Sequence, residues 1–247
     1  MSTTRKNVAR VSLALMLAGC SAAGSAPTQG DVDAKAIGHQ EGVATAPIRV
    51  VYFDDYVCDD CARFNKDAIE PLRRDWVGKG RAKLVVVDLA WKRGSVAGAA
   101  AAWCADEQGQ YWPMHTMLFD RQEVWKRAVD IPAALASYAA ELKLDTAKYN
   151  RCAASTSHRQ RLDVAEEQTR HFAVRGTPAF VVNGKLFYGS QQWPWFEKVL
   201  LAYESGHPEA APPPPLKIPT KSVVDSEKLK RLQDSIARIT AKSGGPQ

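Results

Sequence analysis

The sequence predicts an α/β domain interrupted by a helical insertion, and three observations carry that prediction. A βαβ pattern occupies residues 47 to 90, the stretch from about Gly94 to Val174 is helical in composition, and two short apolar runs flank Asn183-Gly184 ahead of a last amphipathic stretch.

The 247 residues open with a basic patch (Arg5, Lys6, Arg10), the apolar run VSLALMLA and then LAGC at residues 17 to 20. That order describes a secretory signal over residues 1–19, too short at its apolar core to span a bilayer. LAGC resembles the lipobox of bacterial lipoproteins, in which the cysteine is lipidated and becomes the first mature residue. Cys20 is therefore the candidate lipidation site, with cleavage elsewhere as an ordinary signal peptide the alternative. Ser21 stands where such lipoproteins carry Asp when they stay in the inner membrane, which points to the outer one and to a periplasmic, lipid-anchored protein. Loss of residues 1–19 removes three positive charges and takes the net charge from +6 to about +3, too small to argue for a nucleic-acid partner. No other stretch approaches the roughly 18 apolar residues of a membrane span, so the membrane is reached by the lipid anchor only. Export also means an oxidising compartment, where cysteines pair. With Cys20 lipidated, four cysteines remain; if Cys58 pairs with Cys61, then Cys104 and Cys152 either pair or both stay free.

Residues 20–46 are rich in Ala, Gly, Ser, Thr, Asp and Gln without a sustained period and read as a flexible tether. The domain begins at Pro47: PIRVVYF (47–53) is a compact β-branched run, a buried strand. After CDDC (58–61), Cys61, Phe64, Ala68, Ile69, Leu72 and Trp76 recur at three- and four-residue steps and form one buried helical stripe, which Pro71 is expected to kink or split. Gly78 and Gly80 end that helix, and AKLVVVDLA (82–90) is a second buried strand, completing the βαβ unit with the cysteines at its first strand-to-helix turn. The helical insert follows. TPAFVVNGKLFYG then gives a β-hairpin around Asn183-Gly184, and WPWFEKVLLAYE closes the domain at about residue 206. Residues 207–247 form a stiff Pro-rich spacer and a helix capped near Asp225 or Ser226, whose Leu229, Leu232, Ile236 and Ile239 make one narrow apolar stripe. Docking on its own domain, association with a partner or another copy, and a disordered tail all remain open for it.

VVYFDDYVCDDCARF, AAWCADEQGQYWPMHTMLF and VRGTPAFVVNG, in that order across roughly residues 47 to 205, resemble the DsbA-like branch of the thioredoxin superfamily. The resemblance implies a thioredoxin-like fold with a helical insertion domain and thiol–disulfide exchange with exported protein substrates. It implies that Thr177-Pro178 is a cis-proline loop presenting backbone to substrate, and that Cys104 and Cys152 form a structural disulfide, whose loop of about 48 residues would stabilise by roughly 4 kcal/mol. No dissociable cofactor is implied, because the redox-active disulfide carries the two electrons; a membrane redox partner of unknown identity would renew it. In thioredoxin-type proteins a buried acid commonly sits six residues before the first active cysteine; Tyr52 occupies that position here, and Asp55 is the nearer acid.

The residues support the same chemistry. A cysteine at a helix N-terminus meets unpaired N–H groups and the positive end of the macrodipole, which stabilise a thiolate. Cys58 is therefore the exposed nucleophile, and Cys61, one turn inward, the resolving cysteine. Asp59 and Asp60, roughly 6 to 8 Å from that sulfur, would each cost its anion about 0.5 to 1.5 kcal/mol and raise its pKa, giving a mild oxidant, reductase or isomerase-like couple. Arg175 either neutralises these aspartates or stays exposed and uninvolved. His115 and the tryptophans Trp103, Trp112, Trp193 and Trp195 read as packing. Two other readings stand beside this one: a module binding copper or zinc through CDDC, which supplies half a tetrahedral site, with no metal assigned otherwise, and a non-catalytic lipoprotein binding a partner through its tail.

Overall fold

A computed structural model describes residues 38–212; the signal sequence, Cys20, most of the tether and the tail helix with its stripe lie outside the described residues. The chain forms one five-stranded sheet from β1 (His39–Glu41), β2 (Ile48–Asp54), β3 (Ala82–Asp88), β4 (Ala179–Val182) and β5 (Lys185–Tyr188), in the order β1-β3-β2-β4-β5. β2 and β3 are parallel, with Asp54 opposite Asp88 at their ends, and every other pairing is antiparallel.

Both faces of the sheet are covered, which is why β2 and β3 read as continuous apolar runs. Val50, Tyr52, Leu84, Val86, Phe180 and Val182 face one core; Val51, Phe53, Val85, Val87 and Val181 face another, closed by Ala165 and Phe172. The first core holds the helix that follows the cysteines. This helix, α1, runs through α-helical Asp59–Phe64 and Glu70–Leu72 and π-helical Asn65–Ile69 and Arg73–Val77. All six residues of its predicted stripe are fully buried, and each large one contributes about 1.5–3 kcal/mol. Pro71 does not split it: Ile69, Glu70, Leu72 and Arg73 all keep right-handed helical backbone. The register widens instead to i→i+5 turns on either side of the residue that lacks an N–H.

The insert comprises α2 (Ser95–Asp106), α3 (Tyr111–Asp120), α4 (Gln122–Trp125), α5 (Ile131–Glu141), α6 (Thr146–Ala153) and α7 (Ser157–His171). Ala-rich α2 is its hub, buried along most of its length. Cys104 on α2 and Cys152 on α6 are disulfide-bonded, with 48 residues of separation. The hairpin turns at Asn183 and Gly184, both at positive φ. Asn183 also ties it to β2, its Oδ1 accepting from Arg49 N at 2.7 Å and its Nδ2 donating to Pro47 O at 3.0 Å. The closing helix α8 spans Trp193–Glu204.

The domain starts earlier than residue 47. β1 lies within the stretch read as tether, paired antiparallel to β3. Its three residues are polar and show no alternation; what fixes them is reach from elsewhere. His39 stacks on Tyr111 with ring centroids 3.7 Å apart and pairs with Asp106 at 3.1 Å, while Glu41 accepts both ends of the Arg73 fork at 2.6 and 3.0 Å.

Gly98 sets how closely α2 approaches the turn before the cysteines: a Cβ there would lie 2.8 Å from Tyr56 Cβ and 3.1 Å from Trp125 Cη2. Neither is the free end of a flexible chain, so Gly98→Ala is expected to destabilise by about 1–3 kcal/mol in denaturant unfolding despite the higher helix propensity of Ala.

Candidate active site

The end of β2 delivers Asp54 and Asp55, and a tight turn brings Cys58 to the N-cap of α1. Asp55 holds that turn. Its Oδ1 accepts from Val57 N at 3.0 Å and Ser95 Oγ at 2.7 Å, and its Oδ2 accepts from Trp91 N at 3.3 Å. Burial pushes its pKa up, and these donors oppose the rise. Asp55 thus orders the turn against the loop that enters α2. From the insert, Gln122 Nε2 donates to Tyr56 O at 2.8 Å and Cys58 O at 3.0 Å. His115 Nδ1 accepts from Tyr56 Oη at 2.7 Å and its Nε2 meets Asn65 Oδ1 at 2.9 Å. Burial, and then the nearby Arg73, hold its pKa well below the ordinary histidine value, so it is a neutral link between the turn and α1, as the packing reading requires.

Cys58 caps α1 with its sulfur, which accepts Cys61 N–H at 3.3 Å and lies 3.5 Å from Thr177 O. The Thr177–Pro178 bond is cis. Cys58 and Cys61 are both free thiols, and their environments differ. The Cys58 pKa is lowered to about 6, chiefly by its hydrogen bond with the Cys61 side chain, opposed by burial and aided by Thr177, the Cys61 N–H and Lys92. Cys61 is fully buried, and burial, followed by the Cys58 hydrogen bond and the charge of Asp54, raises its pKa well above the ordinary thiol value.

Two expectations are corrected here. Cys58 is not broadly exposed: 5% of it reaches solvent, because the Thr177–Pro178 loop and the segment before the helix pack around it. Nor do Asp59 and Asp60 dominate its titration. Asp59 pairs with Lys126 at 2.6 Å and Asp60 with Arg63, so their charge is turned outward and compensated, and neither ranks among the main influences on Cys58. The compensating cations are Lys126 from the insert and Arg63 one turn along, whereas Arg175 is exposed and uses its N–H on Tyr188 Oη at 3.2 Å. In this structure the two carboxylates turn to these cations and not to the thiols.

Asp54 and Asp88 went unnoticed in the sequence. Both are fully buried side by side at the ends of the parallel strands, and none of their four oxygens has a hydrogen-bond partner among the described residues. Burial first, then the charge of Asp88, raises the Asp54 pKa far above the carboxylate range. Asp88 is raised to about 7 by burial, with Tyr56, Asp54 and Trp103 opposing. Two like charges this close in low dielectric do not both ionise readily, so one carboxyl keeps its proton. The available signal was two acids ending two apolar strands in the same register.

A family model described as Thioredoxin matches residues 35–201. Disulfide bond formation protein D of Bacillus subtilis is 28% identical over 152 residues, covering 59% of this chain and 67% of that one. The Na(+)/H(+) antiporter NhaA 3 of Salinispora tropica is 28% identical over 159 residues, a match covering 61% of this chain and 22% of that protein. Among solved structures, oxidised BdbD from Bacillus subtilis superposes with a TM-score of 0.62 at 22% identity, covering 70% of this chain and 95% of that one. Wolbachia pipientis alpha-DsbA1 superposes with a TM-score of 0.62 at 14% identity, covering 69% and 92%. Likenesses at these identities establish a shared fold.

Thiolate absorbance is expected to give a Cys58 midpoint near pH 6, and Asp59→Asn with Asp60→Asn is expected to move it by less than about half a pH unit, because exposed compensated charges act weakly. For Asp88 the folded pKa lies above the unfolded one, so the folded chain binds more protons between about pH 4 and 7 and stability falls as pH rises through that window. In urea titrations, the stability of Asp88→Asn relative to the parent is expected to improve by roughly 2–4 kcal/mol between pH 4 and pH 8.

Proposed function

The chain belongs to the thioredoxin family, and from that premise we propose that it is a thiol–disulfide oxidoreductase that exchanges disulfides with exported proteins through Cys58 and Cys61. The observation that carries this reading is the asymmetry of the two sulfurs: one held as a thiolate at the cap of α1 beside Thr177, the other held protonated beneath it. With a pKa of about 6, Cys58 is roughly nine-tenths thiolate at pH 7.

In the oxidising direction a substrate thiolate bonds to Cys58 Sγ, the Cys58–Cys61 bond breaks, and Cys61 leaves as a thiolate. The buried Asp54/Asp88 pair supplies the proton that Cys61 takes up; the charge of Asp54 is already felt at Cys61. A second substrate thiolate then attacks the substrate sulfur of the mixed disulfide, and Cys58 departs as the stabilised thiolate. The reducing direction reverses these steps. The two electrons travel in the Cys58–Cys61 bond, so the reading needs no dissociable cofactor. Stabilisation of the Cys58 thiolate favours the reduced form, and a pKa between those of strongly oxidising and reducing relatives supports a mild oxidant.

An extended substrate segment would lie across Thr177 and Pro178. Beside that loop is a cleft of about 480 Å³ lined by Ala173, Arg175, Gly176, Leu186 and Tyr188, and a Cβ added at Gly176 would meet nothing within 4 Å. The name of the Bacillus relative fits substrates that acquire disulfides. The basic and apolar N-terminus and LAGC support export to the periplasm and a lipid anchor at Cys20, with residues 20–37 as the tether and 207–247 as an appended spacer and helix. No helix among the described residues is long and apolar enough to cross a membrane.

The test is a glutathione redox titration of the mature chain, read by thiol alkylation and mass. The Cys58/Cys61 pair is expected to exchange with the buffer; Cys58→Ser is expected to abolish exchange at this pair, and Cys61→Ser to accumulate a mixed disulfide at Cys58. A pair that never exchanges overturns the assignment.

A further inference from the structure

The second disulfide has a histidine against it. His158, on the first turn of α7, is 3% exposed and places Nε2 3.5 Å from Cys104 Sγ and 3.5 Å from Cys152 Sγ. The same Nε2 lies 2.6 Å from Cys152 O. A carbonyl oxygen only accepts, so Nε2 carries the proton and directs it at the carbonyl, with both sulfurs within 3.5 Å of the same nitrogen. Nδ1 is buried without a hydrogen-bond partner among the described residues, and the ring lies 5.7 Å from that of Trp103. The neutral disulfide sulfurs do not gain much from a donor whose proton the Cys152 carbonyl already accepts. A thiolate does, because a hydrogen bond to a charged sulfur is far stronger than one to a neutral disulfide.

The two cysteines are also unequally buried: Cys104 is fully buried, while Cys152 is partly exposed. We propose that Cys104–Cys152 is a second exchange site, opened by a dithiol that attacks Cys152 Sγ and expels Cys104 as a thiolate stabilised by His158 Nε2–H. In the first step the attacking thiolate bonds to Cys152 Sγ and the Cys152–Cys104 bond breaks, with the electron pair going to Cys104. In the second step the other thiol of the reductant, deprotonated, attacks its own sulfur in the mixed disulfide and expels the Cys152 thiolate. Two electrons pass to the protein, two protons are taken up at Cys104 and Cys152, and the reductant leaves as a disulfide. The site uses none of the residues assigned to the Cys58/Cys61 reaction.

That independence shapes the experiment. In the full mature chain carrying Cys58→Ser and Cys61→Ser, only the second disulfide can react, so failure here leaves the first assignment standing, and the reverse holds. With dithiothreitol as the probe and timed alkylation read by mass, Cys104–Cys152 is expected to open about tenfold faster than in the same chain carrying His158→Phe, the equivalent of one hydrogen bond to a charged sulfur. His158→Gln, which keeps an amide N–H to donate, is expected to recover most of the rate. With glutathione, a monothiol that stops at the first step, the adduct is expected on Cys152. Equal or faster opening in the His158→Phe chain, or an adduct on Cys104, overturns the proposal; adduct mapping needs no change at His158, so it decides the matter even if that variant folds poorly.

Discussion

A single short hydrogen-bonded turn governs the chemistry: the Cys58 sulfur caps α1, accepts the Cys61 N–H and lies against Thr177. Stabilising an anion there requires that donors be in place before the charge forms, and here they are the Cys61 thiol and the Cys61 backbone N–H, both on the first turn of α1. The turn is held by Asp55 and Ser95, the Cys58 carbonyl by Gln122, and the opposite wall by the cis-proline loop. Segments some 40 to 120 residues apart in sequence converge on one sulfur, which places the reactive group on a rigid scaffold.

The insert is part of that scaffold as well as a cover over it. Gln122, Lys126 and His115 all come from it, and its Lys126 compensates Asp59, a residue of the CDDC motif itself. The aspartates between the cysteines therefore cost the thiolate little. Gly98 permits α2 to come close enough for these contacts to form.

Beneath the cysteines the fold accepts a cost. Two buried carboxyls without hydrogen-bond partners among the described residues work against stability above their titration range. A strand end packed only for stability would carry apolar residues at Asp54 and Asp88. Polar groups kept in such a place depart from packing for stability alone, and the charge of Asp54 is felt at the buried Cys61.

The chain's own pattern determined the βαβ unit, the six-residue buried stripe of α1, the hairpin at Asn183-Gly184 and the position of Cys58 at a helix start, because each is encoded by local periodicity or by a residue with a special backbone preference. Tertiary structure decided the rest. β1 has no pattern of its own and exists through His39 and Glu41 reaching Tyr111, Asp106 and Arg73. Pro71 was absorbed by wider helical turns, since both flanks of α1 are anchored in the core. The electrostatic balance at Cys58 depended on Thr177 and Lys92, and the compensation of Asp59 on Lys126, 68 residues from Cys58. Charges act through distance, and distance between remote residues is set by the fold.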